Sequence, residues 1–173
     1  MSRHTLVLRQ RSLGQQTQSM EEIIRKIAKT RPDIARKMAA IDWNPVIMQV
    51  ASETLAAAAT EIGCLIKKSY DNANRYGTES GDPPNGSCIG VLYERGGIQL
   101  GLALDGTNIH VFWNTDAQEK DHAKLQLWQQ TVERIYKERS LTMAMQFVGG
   151  PVHRETLQDG TVVLTSKIKA VLR

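Results

Sequence analysis

Cysteine, histidine and aromatic side chains are scarce in this chain, and each scarcity removes a class of function. Cys64 and Cys88 are the only thiols among 173 residues. The N-terminus has no apolar leader, because Arg3, His4, Arg9 and Arg11 interrupt any hydrophobic run. Both thiols are therefore expected to stay reduced in a cytoplasmic protein. Two cysteines hold zinc only with histidines at suitable spacing. His4, His110, His122 and His153 are scattered and form no H-x₃-H or H-E-x-x-H pattern, so no metal and no cofactor is expected. No apolar stretch approaches the ~20 residues that span a bilayer, and no membrane association is expected. Phe, Trp and Tyr number two, three and four, too few for an extended base-stacking platform.

What is abundant is charge, unevenly placed. The formal net charge is +4. Residues 1–40 hold nine Lys and Arg against three acids, whereas residues 41–146 hold nine against thirteen. A basic N-terminal arm followed by an acidic middle points to an anionic partner, either nucleic acid or an acidic protein, or to the chain's own acidic stretch.

The apolar pattern fixes a fold class. Thr5–Leu8 reads as a short first strand and Ser12–Ser19 as a loop. Ser19 with Glu22 forms a capping box, and Met20, Ile23, Ile24, Ile27 and Ala28 follow at helical spacing until Pro32. Ile34, Met38 and Ile41 place a second short helix over Asp33–Ile41. Asn44 as cap and Pro45 at the first helical position predict a third, running to a left-handed Gly63. Cys64–Lys68 is a short strand, and Tyr70–Gly86 a long polar loop.

From Ser87 to Lys169 the rhythm is three strands, one helix, three strands. The first group is Cys88–Glu94, Ile98–Leu104 and Asn108–Trp113, turned by Gly96-Gly97 and Asp105-Gly106. Ala117–Arg139 is a helix with Leu125, Trp128, Val132 and Ile135 as its buried stripe. Thr142–Val148, Val152–Leu157 and Thr161–Ile168 form the second group, turned by Gly149-Gly150-Pro151 and Asp159-Gly160. Strands running into hairpins predict an α+β protein with a mainly antiparallel sheet and helices on one face. Residues 1–173 read as a single domain, with 19–50 a helical insertion or extension within it.

Several motifs fall short of chemistry. Gly81 to Ser87 has phosphate-loop glycine spacing but no lysine after Gly86, and it precedes a strand instead of a helix. Gly86-Ser-Cys88-Ile-Gly90 imitates a nucleophile elbow, yet a strand follows where the elbow needs a helix. No base for Cys88 is specified, although His110 and His153 are candidates. Gly96-Gly97-Ile-Gln-Leu-Gly101 joins two strands and reads as a turn. Asp116, Glu119, Asp121 and Glu138 lie near one another in sequence, and at a helix start such carboxylates suit the macrodipole.

Four stretches together resemble a known family. They are Met1-Ser-Arg-His-Thr-Leu-Val-Leu-Arg-Gln10, Leu55-Ala-Ala-Ala-Ala-Thr-Glu-Ile-Gly63, the segment from Ile89-Gly-Val through Asp105-Gly to His110-Val-Phe-Trp113, and Leu127–Ile135 with Arg154-Glu-Thr-Leu-Gln-Asp-Gly-Thr-Val-Val-Leu164. They resemble the domain-of-unknown-function family that includes a conserved cyanobacterial and algal-plastid open reading frame, over roughly 1–11 and 52–168. Ser19–Val50 departs from that family as an insertion. The resemblance implies an accessory subunit of an AAA-type ATPase-centred assembly and carries no catalytic residues.

The expectation is a non-enzymatic adaptor that binds a protein partner. The contact regions are Arg25–Lys37 and the loop Tyr70–Gly86, with Arg25, Lys26, Lys29, Arg31, Arg36, Lys37 and Trp113 as partner-binding residues. The alternative is a nucleic-acid-binding module, in which the same cations neutralise phosphates and Trp113 or Tyr76 stacks on bases. An enzyme using Cys88 ranks last.

Overall fold

Four consecutive strands fold back on one another, and the first strand of the chain closes the far edge. The structure, a computed structural model, describes residues 8–12, 20–68, 88–105, 108–114, 119–166 and 169–172. Strands β1 (Leu8–Ser12), β2 (Leu65–Lys67), β3 (Cys88–Tyr93), β4 (Gln99–Asp105) and β5 (Asn108–Asn114) form an antiparallel sheet in the order β1-β5-β4-β3-β2. Helices α1 (Met20–Ala28), α2 (Pro32–Ala39) and α3 (Trp43–Ile62) come between β1 and β2. The long α4 (Glu119–Gly149) follows β5 and leads to a second antiparallel sheet, β6 (His153–Thr156), β7 (Val162–Thr165) and β8 (Lys169–Leu172). The fold is α+β with hairpin sheets, as the pattern predicts.

Strand periodicity decides which side chains meet the helices. Leu92, Leu100 and Leu102 stand on one face, and the register brings Trp113 beside Leu100 and Val111 beside Leu102. These residues join Val50, Leu55 and Ala58 of α3 and Leu125, Trp128, Val132 and Ile135 of α4 in one cluster, so both helices cover this face. Alanines 51, 58 and 59 are buried in α3 and allow close approach. Gly90 does the same from the sheet, because a Cβ there would lie 2.7 Å from Leu55 Cδ1.

Helix ends follow local chemistry. The carboxylate of Asp42, not Asn44, caps α3 by accepting from the Asn44 backbone N–H at 3.2 Å. Pro45 thus falls at the third helical position, where an N–H has no partner within the helix in any case. Gly63 ends α3 in the left-handed conformation, φ 79°, and its N–H donates to the Ala59 carbonyl. The hairpin between β6 and β7 turns on Asp159-Gly160 as expected. The Asp159 carboxylate accepts from the Thr161 N–H at 2.9 Å, and that bond holds its pKa below the ordinary carboxylate value.

The strand expected over Thr142–Val148 is helix, the last turns of the 31-residue α4. The hydroxyls of Ser140 and Thr142 donate to the carbonyls of Tyr136 and Glu138 four residues back, which only a helical backbone allows. The Gly149-Gly150 pair is this helix's end: Gly150 has φ 75° and donates to the Gln146 carbonyl. The first strand extends through Ser12, where a loop was expected, and β8 is a further strand beyond the expected set. The cap at Ser19, the turn at Gly106 and most of Thr5–Leu8 lie outside the described residues.

The segment 19–50 has no separate end, because α3 runs through Val50 into the main cluster. Helices α1 and α2 have a cluster of their own. Ile34, Met38 and Ala144 are its buried members, with Ile24, Ile27, Trp43 and Leu141 packed against them.

Candidate interaction surface

The hairpin of α1 and α2 is built by a stop and a restart. The Ile27 carbonyl accepts from the backbone N–H groups of Thr30 and Arg31, at 3.1 and 2.7 Å, and so ends α1. Pro32 opens α2 with a fixed φ, and the Trp43 indole Nε1 donates to the Met38 carbonyl at 3.1 Å to fix the corner into α3. Ile24, Ile27, Ile34 and Met38 turn inward on α4. The same 3.6-residue period puts Arg25, Lys26, Lys29, Arg31, Arg36 and Lys37 outward, and all six are exposed. The structure therefore gathers six of the seven predicted partner-binding residues on one helical hairpin.

Among the described residues, carboxylates with a cation in contact include Asp33 with Arg31 at 3.2 Å, Glu53 with Arg139 at 3.2 Å, Glu94 with Lys124 at 3.0 Å, Glu61 with Arg134, and Glu138 with Arg154. The Arg31 contact pulls the Asp33 pKa below its ordinary value. Among the described residues no carboxylate pairs with Arg25, Lys26, Lys29, Arg36 or Lys37. Arg36 has only the Pro32 carbonyl, at 3.4 Å.

Trp113, the seventh predicted residue, does not join this surface. It is half-buried against the main cluster, beneath the helices. The loop Tyr70–Gly86, Tyr76 within it, the glycine motif from Gly81 to Ser87, and Asp116 lie outside the described residues.

Cys88 and the two bases considered for it, His110 and His153, stand on three different strands. Cys88 pairs with Ala103, which pairs with His110 on the next strand. Two strand spacings, about 9.6 Å, thus separate the backbones of Cys88 and His110. Burial pushes the pKa of both Cys88 and Cys64 up, away from the thiolate a nucleophile needs. Among the described residues, no three His, Cys, Asp or Glu side chains cluster as metal ligands, and no helix is long and apolar enough to cross a membrane.

One concavity escaped the sequence reading. A groove of about 580 Å³ has α4 as its floor, the Gln49–Glu61 side of α3 as one wall and the β6–β7 hairpin as the other. Ile135, Met143 and Leu164 give it an apolar bed. Pairs Glu53–Arg139 and Glu138–Arg154 already satisfy the charges along it. Its only sequence trace is the i, i+4 series Gln49, Glu53, Ala57 and Glu61, which looks like any solvated helix face.

The chain matches no family model, no curated protein and no solved structure.

Proposed function

We propose that the protein is a non-enzymatic accessory protein that binds an acidic protein partner through the exposed face of α1 and α2. The observation that carries this reading is the gathering of six exposed cations on one hairpin, five of them with no carboxylate in contact among the described residues. Carboxylates of another protein would supply counter-charge for this face. The AAA-type ATPase assembly implied by the sequence resemblance is the proposed setting. Nucleic acid is the second reading, because phosphates would satisfy the same cations. It is weakened because Trp113, the expected stacking residue, packs against the main cluster, apart from the hairpin's own cluster.

Co-purification under gentle, low-salt conditions tests the reading. Wild-type protein brings down a stoichiometric protein partner, and the triple variant Lys26→Glu, Lys29→Glu, Lys37→Glu loses it. Wild-type protein that emerges alone, or a partner retained by the variant, overturns it.

A further inference from the structure

Beside the basic hairpin stands an exposed aromatic side chain. Phe147, in the last turn of α4, is 52% exposed, although Ala144 three residues earlier is fully buried. Its ring meets Trp43 edge-on, with centroids 5.8 Å apart and planes at 81°. Trp43 is itself packed on the cluster of Ile34, Met38 and Ala144, and its indole is tied to the Met38 carbonyl. The exposed ring thus stands against Trp43, whose indole is tied to the last turn of α2, where Arg36 and Lys37 are exposed.

We propose that Phe147, the Trp43 edge and the cations of α1 and α2 form one docking surface for an acidic amphipathic helix of a protein partner. This rests on the reading above and specifies its ligand. A rigid aromatic anchor rimmed by charge is the usual arrangement of an interface that recognises a protein. The charge complementarity is one-sided, because the five unpaired cations call for carboxylates. The dimensions agree: α1 and α2 have nine and eight residues, about 12–14 Å at 1.5 Å per residue, which matches two to three turns of a facing helix. Arg25 and Lys29 are four residues apart, the spacing at which a facing helix presents successive carboxylates. A nucleic acid makes less use of this surface. Duplex backbones need no aromatic ring, and single strands are held by several rings in succession.

The test uses the full chain and a fluorescein-labelled acidic peptide of about 18 residues, with leucine at every third or fourth position. A control peptide of equal charge has serine in place of leucine, and a duplex DNA and an oligo-dT complete the set. By fluorescence anisotropy the leucine peptide binds about tenfold more tightly than the serine control. Phe147→Ser erases that difference and Phe147→Tyr keeps it, while thermal melts show both variants folded. The triple charge reversal abolishes binding of both peptides. Equal affinity for the two peptides, binding of neither, or indifference to Phe147→Ser overturns the amphipathic ligand. Indifference to charge reversal overturns the acidic-partner reading as well. Tighter binding of either DNA than of the leucine peptide assigns the surface to nucleic acid and overturns the inference.

Discussion

Gly90 shows how a residue that suggests chemistry in sequence can serve packing in space. It completes the elbow-like Gly86-Ser-Cys88-Ile-Gly90, yet its role is to let Leu55 close on β3. Gly90→Ala is expected to cost about 1–3 kcal/mol, the usual range for overpacking. Leu55→Val in the same chain should recover part of that loss, so a double-mutant cycle in urea returns a favourable coupling between the two. The thiols give a second prediction. Because burial raises the pKa of Cys64 and Cys88, both alkylate more slowly in native protein at pH 8 than after unfolding. Native thiols that react faster than free cysteine would contradict this. Tyr136 is buried as well, and burial lifts its phenol above the ordinary value of 10.0. In the unfolded chain the phenol ionises first. The stability Tyr136 contributes is therefore whole below pH 10 and declines as pH rises through the raised value. Urea midpoints between pH 9 and 11 should fall less steeply in Tyr136→Phe than in wild type.

At the scale of elements, the signals that succeeded were local ones. The hairpins at Gly96 and Asp159-Gly160, the stop at Gly63 and the stripe Leu125–Trp128–Val132–Ile135 each follow from residues within a few positions of one another. The failures have a physical pattern too. Thr142 to Val148 mixes β-branched and aromatic residues with Met, Ala and Gln, so propensity is divided, and the decision falls to tertiary packing of Ala144 against Ile34 and Met38. Asn44-Pro45 is a good helix start on its own, but Asp42 two residues earlier is an equally good cap and fits the corner made by Trp43. The docking of α1 and α2 then depends on one small residue of α4. Ala144→Asp places a charge in that cluster, and hydrogen exchange should quicken across residues 20–39 while β3, β4 and β5 keep their protection. Uniform loss of protection would mean that the hairpin and the main sheet unfold as one unit.

Over the whole molecule, ion pairs link neighbouring elements while the cations of the hairpin are exposed. The inter-element pairs Glu53–Arg139, Glu61–Arg134 and Glu138–Arg154 involve partly or largely exposed side chains, and such pairs contribute little to stability. Unfolding free energy should therefore change by less than about 1 kcal/mol between low and moderate salt, whereas partner binding through the hairpin should weaken steeply. A large salt effect on unfolding would reverse that division. The cations of the surface could be counted in the sequence, but which of them lack a carboxylate partner among the described residues could not. Nor could the exposure of Phe147, which depends on where α4 ends relative to Trp43. The pairing of β1 with β5 also bears on synthesis. Leu8 meets Asn114 and Ser12 meets His110, so at elongation rates of about 5–20 residues per second the nascent strand waits several seconds for its neighbour. A bare strand edge invites the wrong partner, and Leu-Arg-Gln-Arg-Ser carries two cations that discourage it. Those arginines would then matter most on the ribosome, before the sheet exists to receive them.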